Sequence, residues 1–255
     1  MESETTKAIL YGQKLLEAAI DIVGASHVEL TKEFARDPKI VALTILCRTI
    51  SNFRASLLLV QHEGILEART LVRLIYENLL WIGALRERGA AFVQDMLEDE
   101  AFNRQALGQL TLQMSADHGA DVNGADALKL RSLITEIGKQ FPRKKKLHVN
   151  KAAGAGVVDL AYVEYSRFSL DAVHCSITAL GRHLSSERTN QKTELVVSVV
   201  PRTQPAEVLS TVLHACRGLM GVAVGANELL GFTIESDRLT ALLAEFERNG
   251  WQRND

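Results

Sequence analysis

Hydrophobic residues recur every three or four positions along nearly the whole chain, which is the period of an amphipathic helix. Glycine, proline and polar runs interrupt this period and separate the predicted helices. These helices cover about 5–24, 38–62, 65–88, 90–116, 125–141, 157–184, 205–231 and 235–248. The Val-rich run TELVVSVVP, within the connection 185–204, predicts a short strand or an extended arm. The pattern predicts an all-α fold, a single domain over 1–255 built as a bundle of about seven helices.

The helices on either side of Gly64 are predicted to form an antiparallel hairpin over 38–88, because their connection is very short. The second of them is apolar around most of its surface. Four polar side chains nevertheless lie within about 100° of one another on a 3.6-residue wheel, and these are Arg69, Arg73, Tyr76 and Glu77. Buried Arg and Glu side chains need partners. The stripe therefore predicts either a closed structural network or a polar pocket for a ligand.

A second predicted core helix, 157–184, carries two polar seams in an otherwise apolar pattern. One seam contains Tyr165 and Ser169, and the other contains Arg167, Asp171 and His174. If this helix packs beside the polar stripe, Tyr162, Ser169 and His174 are candidate partners for the stripe. We also expect Asp171, three residues before His174, to orient the imidazole.

Arg167 and His174 suggest a specific chemistry. A histidine that moves protons and an arginine that stabilises charge on phosphate can together cleave a phosphodiester without a metal. The same residues are also explained by an exposed Arg167–Asp171 ion pair at i,i+4 and a histidine at the edge of the core. The sequence leaves both interpretations open.

The composition excludes some functions. The net charge of −2 gives no general attraction to nucleic acid, and 5% aromatic residues suit a Leu/Ala-rich helical protein. One basic loop, PRKKKLHVNKAAGAG from Pro142, contains glycine and is predicted to be solvated, with RNA phosphate as the alternative contact. No metal-ligand spacing occurs, and neither a metal nor a cofactor is predicted.

The cysteines and the N-terminus predict a cytoplasmic location. Cys47, Cys175 and Cys216 lie in apolar helical segments, which favours buried, reduced thiols. The N-terminal sequence MESETTKAIL lacks the pattern of a secretory signal. The absence of a long uncharged apolar run predicts no contact with a membrane.

The two predicted core regions resemble a bacterial family of domains of unknown function, the one numbered fifty-six seventy-seven. The resemblance rests on the Arg-x-x-x-Glu element of Arg73 and Glu77, and on the later series Tyr165, Ser169 and His174. It covers roughly 40–90 and 157–184, and it implies a helical fold without an established activity.

A more distant likeness is to the HEPN superfamily of helical nucleotide-binding and ribonuclease domains. Its Arg and His are separated by four to six residues, and six residues lie between Arg167 and His174. This likeness implies a metal-independent ribonuclease or a nucleotide-binding protein in stress or phage defence. The main hypothesis is instead a non-catalytic interaction or ligand-binding module, with a homodimer or an unidentified protein as its partner. Whether the protein is an enzyme stays open at this point.

Overall fold

The computed structural model describes residues 3–29, 32–152, 159–174, 176–188, 193–231 and 236–252. Its helices are α1 (Glu4–Ala25), α2 (Pro38–Gln61), α3 (Ile65–Arg88), α4 (Ala90–Asp117), α5 (Ala125–Gln140), α6 (Val149–Ala152), α7 (Asp159–Phe168), α8 (Ile177–Gly181), α9 (Pro205–Leu229) and α10 (Ser236–Arg248). Short 3-10 and π-helical turns occupy Phe34–Arg36 and Ser169–Val173. Two antiparallel strands, β1 (Leu184–Arg188) and β2 (Thr193–Val197), form a hairpin. The prediction of an all-α multi-helix bundle is confirmed.

Local sequence sets the ends of the core helices. The Asp37 side chain accepts a hydrogen bond from the backbone N–H of Lys39 at 2.8 Å, and Pro38 occupies the first turn of α2, where no N–H is needed. Gly89 separates α3 from α4 with a positive φ of 52°, which favours glycine. α2 and α3 consequently form the predicted hairpin and pack along each other.

The core lies where α1, α2, α3 and α9 meet. Glycines on α9 allow it to approach α3 closely. A Cβ atom at Gly218 would lie 2.5 Å from Cγ2 of Ile75, and one at Gly221 would lie 2.7 Å from Cδ1 of Leu79. Such distances leave no room for a side chain, so the backbone of α9 packs directly on the side chains of α3.

Two helices, α2 and α9, are long and apolar enough to cross a membrane by length and composition alone. Both belong to the core: they pack against each other and against α1 and α3. Core helices of soluble proteins pass the same test, so the expectation that the chain makes no membrane contact stays a prediction.

The predicted helix over 157–184 is wrong in its continuity. After α7 the backbone widens into the π-helical turn, in which the N–H of His174 bonds to the carbonyl oxygen of Ser169 at 3.0 Å. His174 is extended, and Ser176 then caps α8 by accepting a hydrogen bond from Ala179 N–H at 3.1 Å. Helix formation stops and restarts because the Ser176 side chain competes for a backbone N–H at this point. Residues 157–158 lie outside the described residues.

Two further expectations have mixed outcomes. β2 confirms the strand predicted from TELVVSVVP, whereas its partner β1, with the polar sequence LSSER, was not predicted. Cys216 is buried as expected, but Cys47 is exposed, because it lies on the side of α2 that faces solvent. Cys175 lies outside the described residues.

Candidate functional site

Charged side chains link α3, the π-helical turn, α8 and α9 in one chain of ion pairs. Nε of the buried Arg69 lies 2.6 Å from Oδ2 of Asp171. The other oxygen of Asp171 accepts hydrogen bonds from Nη2 and Nε of Arg182 at 2.7 and 3.1 Å. The Arg182 guanidinium also donates to both carboxylate oxygens of Glu207, at 2.7 and 3.0 Å. Arg182 therefore ties the segment after α7 to the first turn of α9.

The pKa values follow from these contacts. Hydrogen bonds to Glu207 raise the pKa of Arg182 above its ordinary value, and the same bonds lower the pKa of Glu207. Burial lowers the pKa of Arg69, and the Asp171 charge opposes that shift. The cation of Arg69 also lies over the Phe168 ring, 5.0 Å from its centroid. Each charge is therefore compensated inside the protein.

A second cluster surrounds Arg73. Its Nη1 lies 2.7 Å from Oε2 of Glu77, one helical turn later on α3. Its Nε donates to Oγ of Ser169 at 3.2 Å, and its Nη2 donates to the hydroxyl of Tyr165. The guanidinium also lies 4.5 Å from the centroid of the Tyr165 ring. The structure thus brings together four of the predicted residues: Arg73 and Glu77 on α3, Tyr165 on α7 and Ser169 in the π-helical turn.

The two clusters are balanced in charge. Three arginines face three carboxylates across them, and these are Arg69, Arg73, Arg182, Asp171, Glu77 and Glu207. Each of these charges has an opposite charge within 2.7 Å, so the described side chains satisfy one another.

The fourth residue of the polar stripe, Tyr76, belongs to a separate buried group. Its hydroxyl lies 3.0 Å from Nδ1 of His214 on α9, and Nε2 of that histidine lies 3.8 Å from Oε2 of Glu164 on α7. Burial lowers the pKa of His214 to about 3, and the nearby charge of Arg217 acts in the same direction. The imidazole is consequently neutral at physiological pH.

Sequence reasoning missed His214 and Glu164. A signal for His214 was present, because it interrupts the most apolar helix of the chain. Glu164 gave no such signal, since a glutamate on a helix with a polar side is ordinary. Arg182 and Glu207 were missed as well, because they lie beyond the break after the π-helical turn, where periodicity on a single helix gives no information.

The two candidate catalytic residues, Arg167 and His174, lie outside the network. Both are exposed, and no hydrogen bond or ion pair joins them within the described part of the chain. Nη1 of Arg167 lies 3.9 Å from Oε2 of Glu164. The expected roles of Asp171 are wrong: it pairs with Arg69 and Arg182, and neither orients His174 nor pairs with Arg167. The wide π-helical turn rotates its carboxylate toward the core instead.

The opposite side of this segment is apolar and faces solvent. We call it the outer face of α7–α8, and its members are Leu160, Val163, Leu170, Val173, Ile177 and Leu180. Ile177 is 86% exposed and Leu160 is 75% exposed. The sequence places Leu160, Val163, Leu170, Val173 and Ile177 in a buried pattern, and this is wrong for all five. Phe168 and the polar side chains of the network occupy the side that faces the core instead.

The β1–β2 hairpin also carries exposed aliphatic side chains. Leu184 and Val197 are directly opposite each other in its register. Leu195 lies two positions before Val197 on β2, so all three side chains are on one side of the sheet. We call this side the hairpin face. Leu195 and Val197 are about 70% exposed (69% and 72%), and Val199 just beyond the strand is 94% exposed.

The basic loop is partly neutralised. Nζ of Lys145 lies 3.2 Å from Oδ1 of Asp95, which also pairs with Arg88, and Lys144 donates to the carbonyl oxygen of Phe141 at 3.3 Å. Within the described ranges, no group of three His, Cys, Asp or Glu side chains is placed to hold a metal ion.

The fold and the network together define a helical-bundle protein. Its paired charges anchor the segment from α7 to β1, whose other side carries exposed aliphatic side chains. The chain belongs to the Family of unknown function (DUF5677), whose family model matches residues 39–192. That match covers α2 to β1 and contains the Arg73 cluster, whereas Glu207 and His214 on α9 lie beyond it. No curated protein and no solved structure matches the chain.

Proposed function

We propose that this protein is a non-catalytic interaction module that assembles with a second copy of itself. The observation that carries the proposal is the exposure of large aliphatic side chains in the described residues between Leu160 and Val200. Ser169, Asp171 and Arg182 bond to α3 and α9, while these aliphatic side chains face solvent on the outer face of α7–α8 and on the hairpin face. Surface of this kind is a sign of an interface.

The size of this surface fits a dimer. Eleven aliphatic residues between Leu160 and Val200 are at least 39% exposed. Together they present on the order of 1,000 Å² of apolar area, of which the outer face contributes about half, comparable by itself to the roughly 300–600 Å² of the largest patch on a typical monomer. A stable complex buries about 800 Å² on each partner. Interfaces between identical subunits are also the more apolar class, which favours a second copy as the partner.

Sedimentation equilibrium of the purified chain tests the proposal, with Ile177→Asp as the disrupting variant. We expect the wild type to be a dimer and Ile177→Asp to be a monomer with an unchanged helical circular dichroism spectrum. The matched control is Leu107→Asp, because Leu107 on α4 is 65% exposed but lies outside this surface. It should remain a dimer.

A wild type that is monomeric at every concentration studied would contradict the proposal. Equal loss of the dimer in Leu107→Asp and Ile177→Asp would also contradict it, because the effect would then reflect general solubility and not this surface.

The second candidate function is that of a HEPN-like, metal-independent ribonuclease or nucleotide-binding protein. Its specific support is that Arg167 and His174 are both exposed, on either side of the π-helical turn, and that the network does not use either of them. Exposed Arg and His side chains remain able to contact a phosphodiester.

An RNA-cleavage assay distinguishes the two functions. The interaction module predicts no cleavage by the wild type and no difference in His174→Ala. The ribonuclease predicts cleavage that His174→Ala and Arg167→Ala both abolish, while His118→Ala, a change at an exposed histidine after α4, leaves it intact.

A further inference from the structure

We infer that the dimer forms by reciprocal exchange: the hairpin face of each copy covers the outer face of α7–α8 of the other. This inference rests on the proposed function and adds to it the arrangement of the two surfaces. It follows from four observations on the hairpin, on the outer face, on their dimensions and on the anchor that holds them.

The hairpin lacks a packing partner in its own chain. β1 and β2 contact each other extensively, but within the described residues no helix packs along the hairpin to a similar extent. An isolated two-stranded hairpin is at best marginally stable in water and requires a further strand or a helix against its apolar side. Leu184, Leu195 and Val197 provide that side.

The outer face of α7–α8 is an apolar helical surface that nothing in the described part of the chain covers. It is helical and aliphatic, and Leu170 and Ile177 are 63% and 86% exposed. A helix packed on an apolar sheet is one of the few stable two-layer arrangements. Each of the two surfaces is therefore the kind of partner that the other requires.

Their dimensions agree. A five-residue strand extends about 17 Å, and the hairpin contains two such strands side by side. α7 and the π-helical turn together comprise Asp159–Val173, which corresponds to roughly 20 Å of helix. One hairpin therefore covers most of the length that α7 and the π-helical turn contribute to one outer face.

The hairpin is anchored at its base to the π-helical turn and to α9. Arg182, just before β1, is fixed by Asp171 and Glu207 and also donates to the carbonyl oxygen of Arg202 at 3.3 Å. The backbone of Arg202 returns a hydrogen bond to Arg182 at 2.8 Å, and Ser198 N–H bonds to the carbonyl oxygen of His183 at 2.8 Å. The bonds of Arg182 to Asp171 and Glu207 hold the base of the hairpin in one orientation relative to the π-helical turn and α9.

A two-fold axis then satisfies both surfaces at once. In a closed pair, the hairpin of the first copy lies on the second, and the hairpin of the second lies on the first. Neither surface remains exposed, and no further copy can add. The contact accordingly limits itself to a dimer and does not extend into a filament.

Cysteine crosslinking of mixed single variants tests this arrangement in the full-length chain. Val163→Cys marks the outer face and Val197→Cys marks the hairpin face, in a background with Cys47→Ser and Cys175→Ser, while the buried Cys216 is kept. One variant carries heavy isotopes. After subunit exchange the mixture is treated with a short bismaleimide, and the crosslinked peptides are identified by mass spectrometry. Leu107→Cys replaces Val163→Cys in the control mixture.

We expect the mixture to give severalfold more crosslinked dimer than either variant alone, and the Leu107→Cys mixture to give none above background. If each variant crosslinks with itself as well as the mixture does, exchange is overturned although the dimer stands. A crosslink within one chain in the Val163→Cys/Val197→Cys double variant would also overturn it. A chain that sediments as a monomer removes the proposed function together with this inference.

Discussion

The core of α1, α2, α3 and α9 and the segment from α7 to the hairpin place their side chains in opposite ways. In the core, aliphatic side chains are inside, and α9 approaches α3 so closely that glycine is required at Gly218 and Gly221. In the segment, Asp171 and Arg182 pair with charges on α3 and α9, and large aliphatic side chains face solvent. The first arrangement is held by packing, and the second by matched charges.

This difference separates two tasks. Apolar burial supplies most of the free energy of folding and does not depend on direction. Paired charges contribute less net stability, but they fix geometry because each hydrogen bond requires a specific orientation. The network therefore serves to orient the segment, and the core serves to stabilise the fold. Three changes test this division, the largest effect first.

Asp171→Ala should cause the largest loss of stability, about 3–5 kcal/mol, because it leaves the buried cation of Arg69 without a carboxylate. The measurement is urea-induced unfolding followed by circular dichroism. The control is Asp21→Ala, which removes the half-exposed partner of Arg238 on the surface and should cost less than about 1 kcal/mol. Equal losses in the two variants would mean that the Arg69–Asp171 pair contributes no more to the free energy of unfolding than a surface ion pair does.

Gly218→Ala should destabilise the protein by about 1–2 kcal/mol, since its Cβ would lie 2.5 Å from Cγ2 of Ile75 and overpack the core. Gly24→Ala is the matched control in α1, where no atom lies within 4 Å of the added Cβ. There the same change should stabilise the helix by about 0.5 kcal/mol. Thermal unfolding of both variants gives the sign directly. A stabilised Gly218→Ala would show that α9 is not tightly packed on α3.

The smallest effect concerns pH and His214. Its pKa is lowered to about 3 in the folded protein, mainly by burial, and the unfolded chain has the ordinary value near 6.5. Between these values the unfolded state binds the additional proton, so stability is complete above pH 6.5 and falls as the pH decreases. Lowering the pH from 7 to 5.5 should cost about 1 kcal/mol from this residue.

Urea unfolding at both pH values measures this loss, and His214→Gln should reduce the difference between them. The comparison within each protein removes any loss that the substitution itself causes by breaking the contact with Tyr76. An identical pH dependence in the two proteins would mean that the imidazole is not buried in its neutral form.

The sequence was sufficient for the helical fold and for part of the network. The i,i+4 spacing of Arg73 and Glu77 is a local property of one helix, and the ion pair is present. The proximity of Ser169 to Arg73 followed from two apolar helices whose polar stripes face each other, whereas the tyrosine that bonds to Arg73 is Tyr165 and not the expected Tyr162. In both cases a regular period carried the information.

Where the helix is irregular, the period gave wrong answers. The stretch from Ser169 to Ser176 contains neither glycine nor proline. The sequence therefore offered no indication of the wide turn or of the break after it. Asp171 was consequently placed near His174, and Arg182 was not considered as a partner at all. The sequence also could not predict that Leu160 and Ile177 are exposed. Hydrophobic periodicity identifies the apolar side of a helix but not which side faces the core.

The π-helical turn Ser169–Val173 also affects how this family can change by insertion and deletion. A turn closed by an i,i+5 bond holds about one residue more than an α-helical turn. Removing one residue there restores the ordinary turn and rotates everything downstream by about 100°. Arg182 would then leave Asp171 and Glu207, and the hairpin would point elsewhere. Deletion of a single residue in this turn would therefore redirect the exposed surface without a substitution of any side chain on it.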